Sequence, residues 1–198
     1  MNSIDNFFTK DIEEYSRSYF NYLKEIFEKI DTAEIKEFVE IIMAARDSGR
    51  TIFFMGNGGS AATASHFAND LAIGTNDYIK PFKALSITDN TPVITAISND
   101  FGYDEIFTRQ LKIYAKKGDV IVGISASGNS QNLINAFEYA SSVGLKTVAL
   151  TAFDGGKMRK IADQGVHIPT NNNEYGPAED LHMILDHLVG SYLMRLIK

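Results

Sequence analysis

The sequence predicts an α/β fold, an open, doubly wound parallel sheet of about five strands preceded by an N-terminal helical pair. Three observations predict it. Beyond Arg50, short apolar runs alternate with turns and helical stretches, and the runs are apolar throughout rather than at every second position. That suits central parallel strands covered on both faces. Strand–helix alternation in turn implies right-handed crossovers within one sheet. Finally, the 198 residues are 44% hydrophobic and contain no repeat, low-complexity tract or linker, which suits a single core. The expected organisation is one domain over 1–198, with helices in 1–49 and the α/β core in 50–198.

The elements follow in order. Ile12, Tyr15, Tyr19, Leu23, Ile26 and Ile30 recur at spacings of three and four, one apolar stripe of a first helix. Asp31 and Thr32 interrupt it and can cap a second helix carrying Ile35, Phe38, Val39, Ile42 and Ala45. Gly49 is placed to end that helix in a left-handed turn. Strands are expected at Thr51–Met55, Ala84–Ile87, Val120–Ile124 and Thr147–Leu150, with a weaker one at Gly165–Ile168. Helical stretches are expected near 61–72, 91–98, 103–116, 130–143 and 177–197. Tyr15, Tyr19, Phe20 and Tyr22 surround the first helix on several sides, more apolar surface than one domain face needs, so an oligomer is expected.

Composition excludes several functions. With 19 basic and 25 acidic residues the chain carries a net charge of −6, which argues against a nucleic-acid phosphate-backbone binder. Cysteine is absent, so disulfides, thiolate zinc sites, iron–sulfur clusters and cysteine nucleophiles are excluded together. No stretch approaches the ~20 apolar residues of a membrane span, and no signal peptide is evident, so the expected address is cytoplasmic.

In open α/β sheets ligands sit beyond the carboxyl ends of the strands, which directs attention to two loops. Gly56-Asn57-Gly58-Gly59-Ser60 follows the first strand; its glycines can present bare N–H groups and Ser60 can cap the next helix. Alone it is equally a ligand-free tight turn. It lacks the third glycine of a dinucleotide fingerprint, where Ala61 stands, and the Gly-Lys-Ser/Thr of a Walker loop. Ser125-Ala126-Ser127-Gly128-Asn129-Ser130 follows the third strand, with three hydroxyls that can donate to a phosphate or simply shape a turn. Two such loops on one sheet strengthen the phosphate interpretation, and neutral donors can hold a monoester in an acidic protein.

The four histidines are His66, His167, His182 and His187. His66 and Asp70 are four apart on one helix face. Glu179 and His187 are eight apart, about 80° round the C-terminal helix at 100° per residue. Two acids and two imidazoles suit a borderline divalent metal such as zinc, or an acid–base pair. For either helix alone, a solvated polar face or a satisfied core histidine is the commoner explanation. His182 lies about 140° from His187 and is expected to be structural.

Together these segments resemble the sugar isomerase (SIS) domain family, and within it the phosphoheptose isomerases. The similar stretches are Gly56–Ser60, His66-Phe67-Ala68-x-Asp70-Leu71, Ser98–Gly102, Ile106-Phe107-x-Arg109, Gly123–Ser130 apart from position 126, Thr151, Asp154–Met158, and Glu179-x-x-His182 with His187. The resemblance covers nearly the whole chain. It implies conversion of sedoheptulose 7-phosphate to glycero-manno-heptose 7-phosphate through a cis-enediol, for heptose and surface-polysaccharide synthesis, with Asp70 as base and His187 as acid. It implies substrate contacts at Asn57, Gly58, Gly59, Ser60, Asn99, Asp100, Ser125, Ala126, Ser127, Ser130 and Glu179. It also implies one zinc per site on His66, Asp70, Glu179 and His187, and a homotetramer. Asp70 stands where the family usually has Glu, and Glu179 where it usually has Gln. An added carboxylate raises affinity for a cation. The alternative function is a non-catalytic SIS module that binds a phosphosugar or a partner protein such as the replication initiator. No membrane and no direct nucleic-acid partner are expected.

Overall fold

The computed structural model describes residues 2–198. Nine α-helices and five strands are found among them: α1 Ser3–Phe7, α2 Ile12–Phe27, α3 Thr32–Asp47, β1 Thr51–Gly56, α4 Gly59–Asn69, β2 Lys83–Ser86, α5 Thr91–Phe101, α6 Ile106–Tyr114, β3 Val120–Ser125, α7 Gln131–Val143, β4 Lys146–Ala152, α8 Gly156–Ile161, β5 Gln164–Ile168 and α9 Tyr175–Leu196. A π-helical turn, Asp70–Gly74, extends α4, and a 3-10 turn, Tyr103–Glu105, leads into α6. The strands form one sheet in the order β2-β1-β3-β4-β5, and every neighbouring pair is parallel. This is the open doubly wound sheet expected from the sequence.

Alternation within each strand explains the two covered faces. Ile52 and Phe54 of β1, with Val120, Val122 and Ile124 of β3, pack against Phe38 and Ile42 of α3, Phe67 of α4 and Leu185, Val189 and Leu193 of α9. Phe53 and Met55, with Ile121, face the other way onto Ile106, Phe107 and Leu111 of α6 and Leu133 and Phe137 of α7. Both faces are apolar because each is buried, so the run reads as continuous in sequence.

Caps set the helix starts, at α3 where the sequence places one. The Asp31 carboxylate accepts a hydrogen bond from the Ala33 N–H at 2.8 Å, and Asp11 does the same for α2 from the Glu13 N–H at 2.9 Å. Gly49 adopts φ +63°, ending α3 as expected.

Three features depart from expectation. Helices α1 and α8, of five and six residues, are too short to show a 3.6-residue period. Ser60 does not cap α4: Gly58 occupies that position, and Ser60 is buried as the second residue of the helix. The α2 tyrosines serve the chain itself. Tyr15 packs between Phe7 and Phe8, Tyr19 donates to the Asp180 carboxylate at 2.5 Å, and Tyr22 donates to Glu174. The buried Glu174 also accepts from the Ser3 and Asn171 N–H groups, tying α1 and α2 to the start of α9. Phe20 stays exposed. No helix among the described residues is long and apolar enough to cross a membrane.

Candidate active site

The strand order reverses direction between β1 and β3, so loops leaving their carboxyl ends diverge and open a crevice. The two loops singled out in the sequence occupy that place. Asn57, Ser60, Ser125, Ala126, Ser127 and Ser130 line one cleft of about 150 Å³, together with Ile124 and, from α9, Tyr175 and Glu179. Its walls combine hydroxyls, an amide and the opening turn of a helix, a donor-rich lining for an anion.

Internal hydrogen bonds fix the cleft. Ser125 Oγ accepts from the Gly128 N–H at 3.1 Å and Ser127 Oγ from the Asn129 N–H at 3.3 Å. Both hydroxyl protons therefore remain free for a ligand. Asn57 and the buried Asn132 exchange amide hydrogen bonds at 3.0 Å each, and Tyr103 Oη donates to Asn57 Oδ1 at 2.8 Å. Glu179 lies against Gly59, the first residue of α4. A Cβ there would collide with the Glu179 carboxylate. Glycine thus lets the carboxylate approach a helix N-terminus, where the dipole favours a negative charge.

Two turns further along α4, a second polar group forms against α9. His66 Nε2 lies 3.2 Å from His187 Nε2 and 3.5 Å from Asp70 Oδ1. Asp186 Oδ2 is 4.0 Å from the same nitrogen. One donor atom from each of His66, Asp70, Asp186 and His187 falls within 4.8 Å of all the others. Asp70 opens the π-helical turn, a local widening that re-aims side chains and often marks functional positions. Gly190 on α9 packs beside Asp70. The Asp186 side chain is fully buried, with neither oxygen hydrogen-bonded among the described residues. Burial pushes its carboxyl up to about 7, and the charge of Asp70 adds to the rise. Two imidazoles and two carboxylates at this spacing, one carboxylate buried and unpartnered, fit a divalent metal of the borderline kind.

A sequence model of the SIS domain matches residues 14–152. The phosphoheptose isomerase of Aliarcobacter butzleri is 39% identical over 150 residues, 76% of this chain and 78% of the relative. That of Sulfurimonas denitrificans is 37% identical over 182 residues, 91% of this chain and 92% of the relative. The chain belongs to the SIS domain family, among its phosphoheptose isomerases. The structure of phosphoheptose isomerase from Neisseria gonorrhoeae superposes with a TM-score of 0.82 at 31% identity, covering 92% of this chain and 98% of that one.

Within this SIS fold the residues expected to act divide into three places. Asn57, Ser60, Ser125, Ala126, Ser127, Ser130 and Glu179 meet in the cleft, with Gly59 directly beside Glu179. Gly58 caps α4 with an exposed backbone. His66, Asp70 and His187 meet in the second group. Glu179 is not part of that group, because eight residues of helix carry it about 12 Å along α9 from His187. Asn99 and Asp100 do neither: they end α5, exposed, with the Asn99 amide donating to Asp100 Oδ1 at 2.8 Å.

His182 is fully buried, and neither ring nitrogen has a hydrogen-bond partner among the described residues. Burial pushes it down to about 4. His167, on β5, is likewise pushed down to about 4, by burial and by the neighbouring Arg159 charge.

Asp186, Asn132, Tyr103 and Tyr175 escaped the sequence. Asp186 carried a usable signal, since it continues the His182, Val189, Leu193 stripe at spacings of four, three and four. A carboxylate on a buried stripe demands a partner.

Proposed function

We propose that this SIS-family chain interconverts sedoheptulose 7-phosphate and glycero-manno-heptose 7-phosphate, a step toward surface-polysaccharide heptose. The observation that carries this is the pairing of a hydroxyl-lined anion cleft at the β1/β3 switch point with a His/Asp group two helical turns away. Seven residues of helix from Gly59 to His66 rise about 10 Å, the order of length of an extended seven-carbon chain. The cleft thus suits the phosphate end and the His/Asp group the carbonyl end.

In this mechanism Ser125, Ser127 and Ser130 donate hydroxyls, and Gly58 and Gly59 backbone N–H groups, to the phosphate and its neighbouring oxygens. Ser60, Ala126 and Asn57 complete the wall, and Glu179 accepts from sugar hydroxyls. Asn99 and Asp100, exposed at the end of α5, serve the substrate from outside this cleft. Asp70 takes the proton from one carbon of the C1–C2 pair and returns it to the other through the cis-enediol, while His187 moves the proton between O1 and O2. His66, Asp70 and His187, with Glu179 as the sequence suggests, would hold a zinc ion, which supplies polarisation of the carbonyl when bound.

A homotetramer is supported by the apolar groove between α3 and α9, lined by Ile35, Val39, Met43, Leu188, Tyr192 and Leu196. A tetramer mass by light scattering is expected, and a monomer would refute it. A cytoplasmic setting fits a sugar-phosphate substrate. The deciding experiment is incubation of the purified protein with sedoheptulose 7-phosphate, with and without added zinc, followed by assay of the aldose. Turnover is expected. Its absence in both arms, where a known isomerase works, overturns the assignment.

A further inference from the structure

We infer that Asn132 and Tyr103 are positioning residues that make Asn57 a hydrogen-bond donor, and only a donor, toward a ligand in the cleft. This deepens the proposed sugar-phosphate function and rests on it. Asn57 lies half-buried in the cleft wall, beside the hydroxyls of the loop that leaves β3. A side-chain amide carries both donors and an acceptor, so an unrestrained Asn57 could turn either end toward an anion. A chain of hydrogen bonds removes that choice.

The chain starts at the backbone N–H of Leu133, which can only donate. It reaches Asn132 Oδ1 at 2.9 Å and thereby sets the sense of the Asn132 amide. The same oxygen accepts from Asn57 Nδ2 at 3.0 Å, and Asn132 Nδ2 donates back to Asn57 Oδ1 at 3.0 Å. Tyr103 Oη is a second donor to Asn57 Oδ1, at 2.8 Å. Both lone pairs of that oxygen are therefore occupied, while one of the two Nδ2 hydrogens remains for a ligand. Turning the Asn57 amide over would set oxygen against oxygen and nitrogen against nitrogen across the pair. Asn132 is only 2% exposed, so water could not relieve the mismatch. Tyr103 is held in place through its own turn: Asn135 on α7 donates from Nδ2 to the Asp104 carbonyl at 3.2 Å. The cleft thus gains a directed N–H beside the free hydroxyls of Ser125 and Ser127. An oxyanion is drawn to such donors, whereas a carbonyl oxygen in the same place would repel it.

The test measures the affinity of the full-length chain for sedoheptulose 7-phosphate by calorimetry, after the sugar isomers have equilibrated, together with KM and kcat. Tyr103→Phe and Asn132→Ala are compared in the wild type and in an Asn57→Ala background. In the wild type each should weaken binding and raise KM ~3–10-fold, the worth of one hydrogen bond, with kcat changed less than about threefold. In Asn57→Ala neither should add more than about twofold, because a residue that acts through Asn57 then has nothing to orient. Asn57→Asp, an acceptor of the same shape, should bind more weakly than Asn57→Ala. Thermal unfolding checks folding. Should Asn132→Ala unfold, Tyr103→Phe, at an exposed side chain, carries the comparison alone. A full loss that persists in Asn57→Ala, a fall in kcat at unchanged KM, Asn57→Asp as tight as the wild type, or no binding by the wild type overturns the inference. Sugar phosphate bound with the expected pattern but never isomerised would sink the proposed activity and leave the donor assignment standing.

Discussion

Asp70 is the residue on which the proposed chemistry turns, because it combines a carboxylate with a place beside His66 at the start of a π-helical turn. Asp70→Asn keeps the shape and removes the base. Steady-state kinetics should show kcat falling ~10²–10⁴-fold, the usual contribution of a positioned general base, with thermal stability little changed. A loss below tenfold would remove Asp70 from that role. His182 makes a different, pH-dependent contribution. Its folded pKa of about 4 lies below the ordinary histidine value of 6.5, so the unfolded chain binds the extra proton between these values. Stability therefore rises with pH through this window and falls on acidification. From pH 7 to pH 5 the loss from this one group is on the order of 2 kcal/mol. His182→Leu should flatten that part of the stability–pH curve, measured by urea unfolding at several pH values, and an unchanged slope would contradict the assignment.

At the scale of elements, the opening of α4 couples binding to backbone shape. Gly59 has a helical conformation that any residue can adopt, so alanine there brings no backbone strain and gains helix propensity of ~0.5–1 kcal/mol. Its Cβ would nevertheless displace the Glu179 carboxylate, the far end of a movable side chain. Gly59→Ala should therefore leave the melting temperature equal or slightly higher while raising KM for the sugar phosphate about tenfold, a loss of ~1.4 kcal/mol of binding. Wild-type KM would show that Glu179 takes no part in binding. Local chemistry made such elements legible. The Asp31 cap and the Gly49 turn act within a few residues of themselves and were placed correctly from sequence. Ser60 was not, since Gly58 turns the chain two residues earlier and leaves Ser60 to face the cleft.

For the whole molecule, one face of the core joins stability to the site. Phe67 stacks on Phe54 of β1 at 4.9 Å between ring centres and meets Phe38 of α3 edge-on at 5.8 Å. Phe67→Ala should cost about 3–5 kcal/mol in chemical denaturation, the range for deleting a buried aromatic ring. Because His66 precedes it on the same helix, the loosened helix should also lower kcat, so a stable and fully active variant would mean that α4 is held by other contacts. The sequence by itself determined the parallel sheet, both loops that line the cleft and the His66–Asp70 pair. Strand apolarity, loop composition and i,i+4 spacing are properties of short segments, and they persist whatever the rest of the chain does. Only the tertiary structure decided which residues of α9 meet α4. That choice depends on how two helices are offset and rotated against one another, which no spacing within either helix encodes. The offset sends Glu179 to the cleft and turns Asp186, hidden on the buried stripe of α9, toward His66.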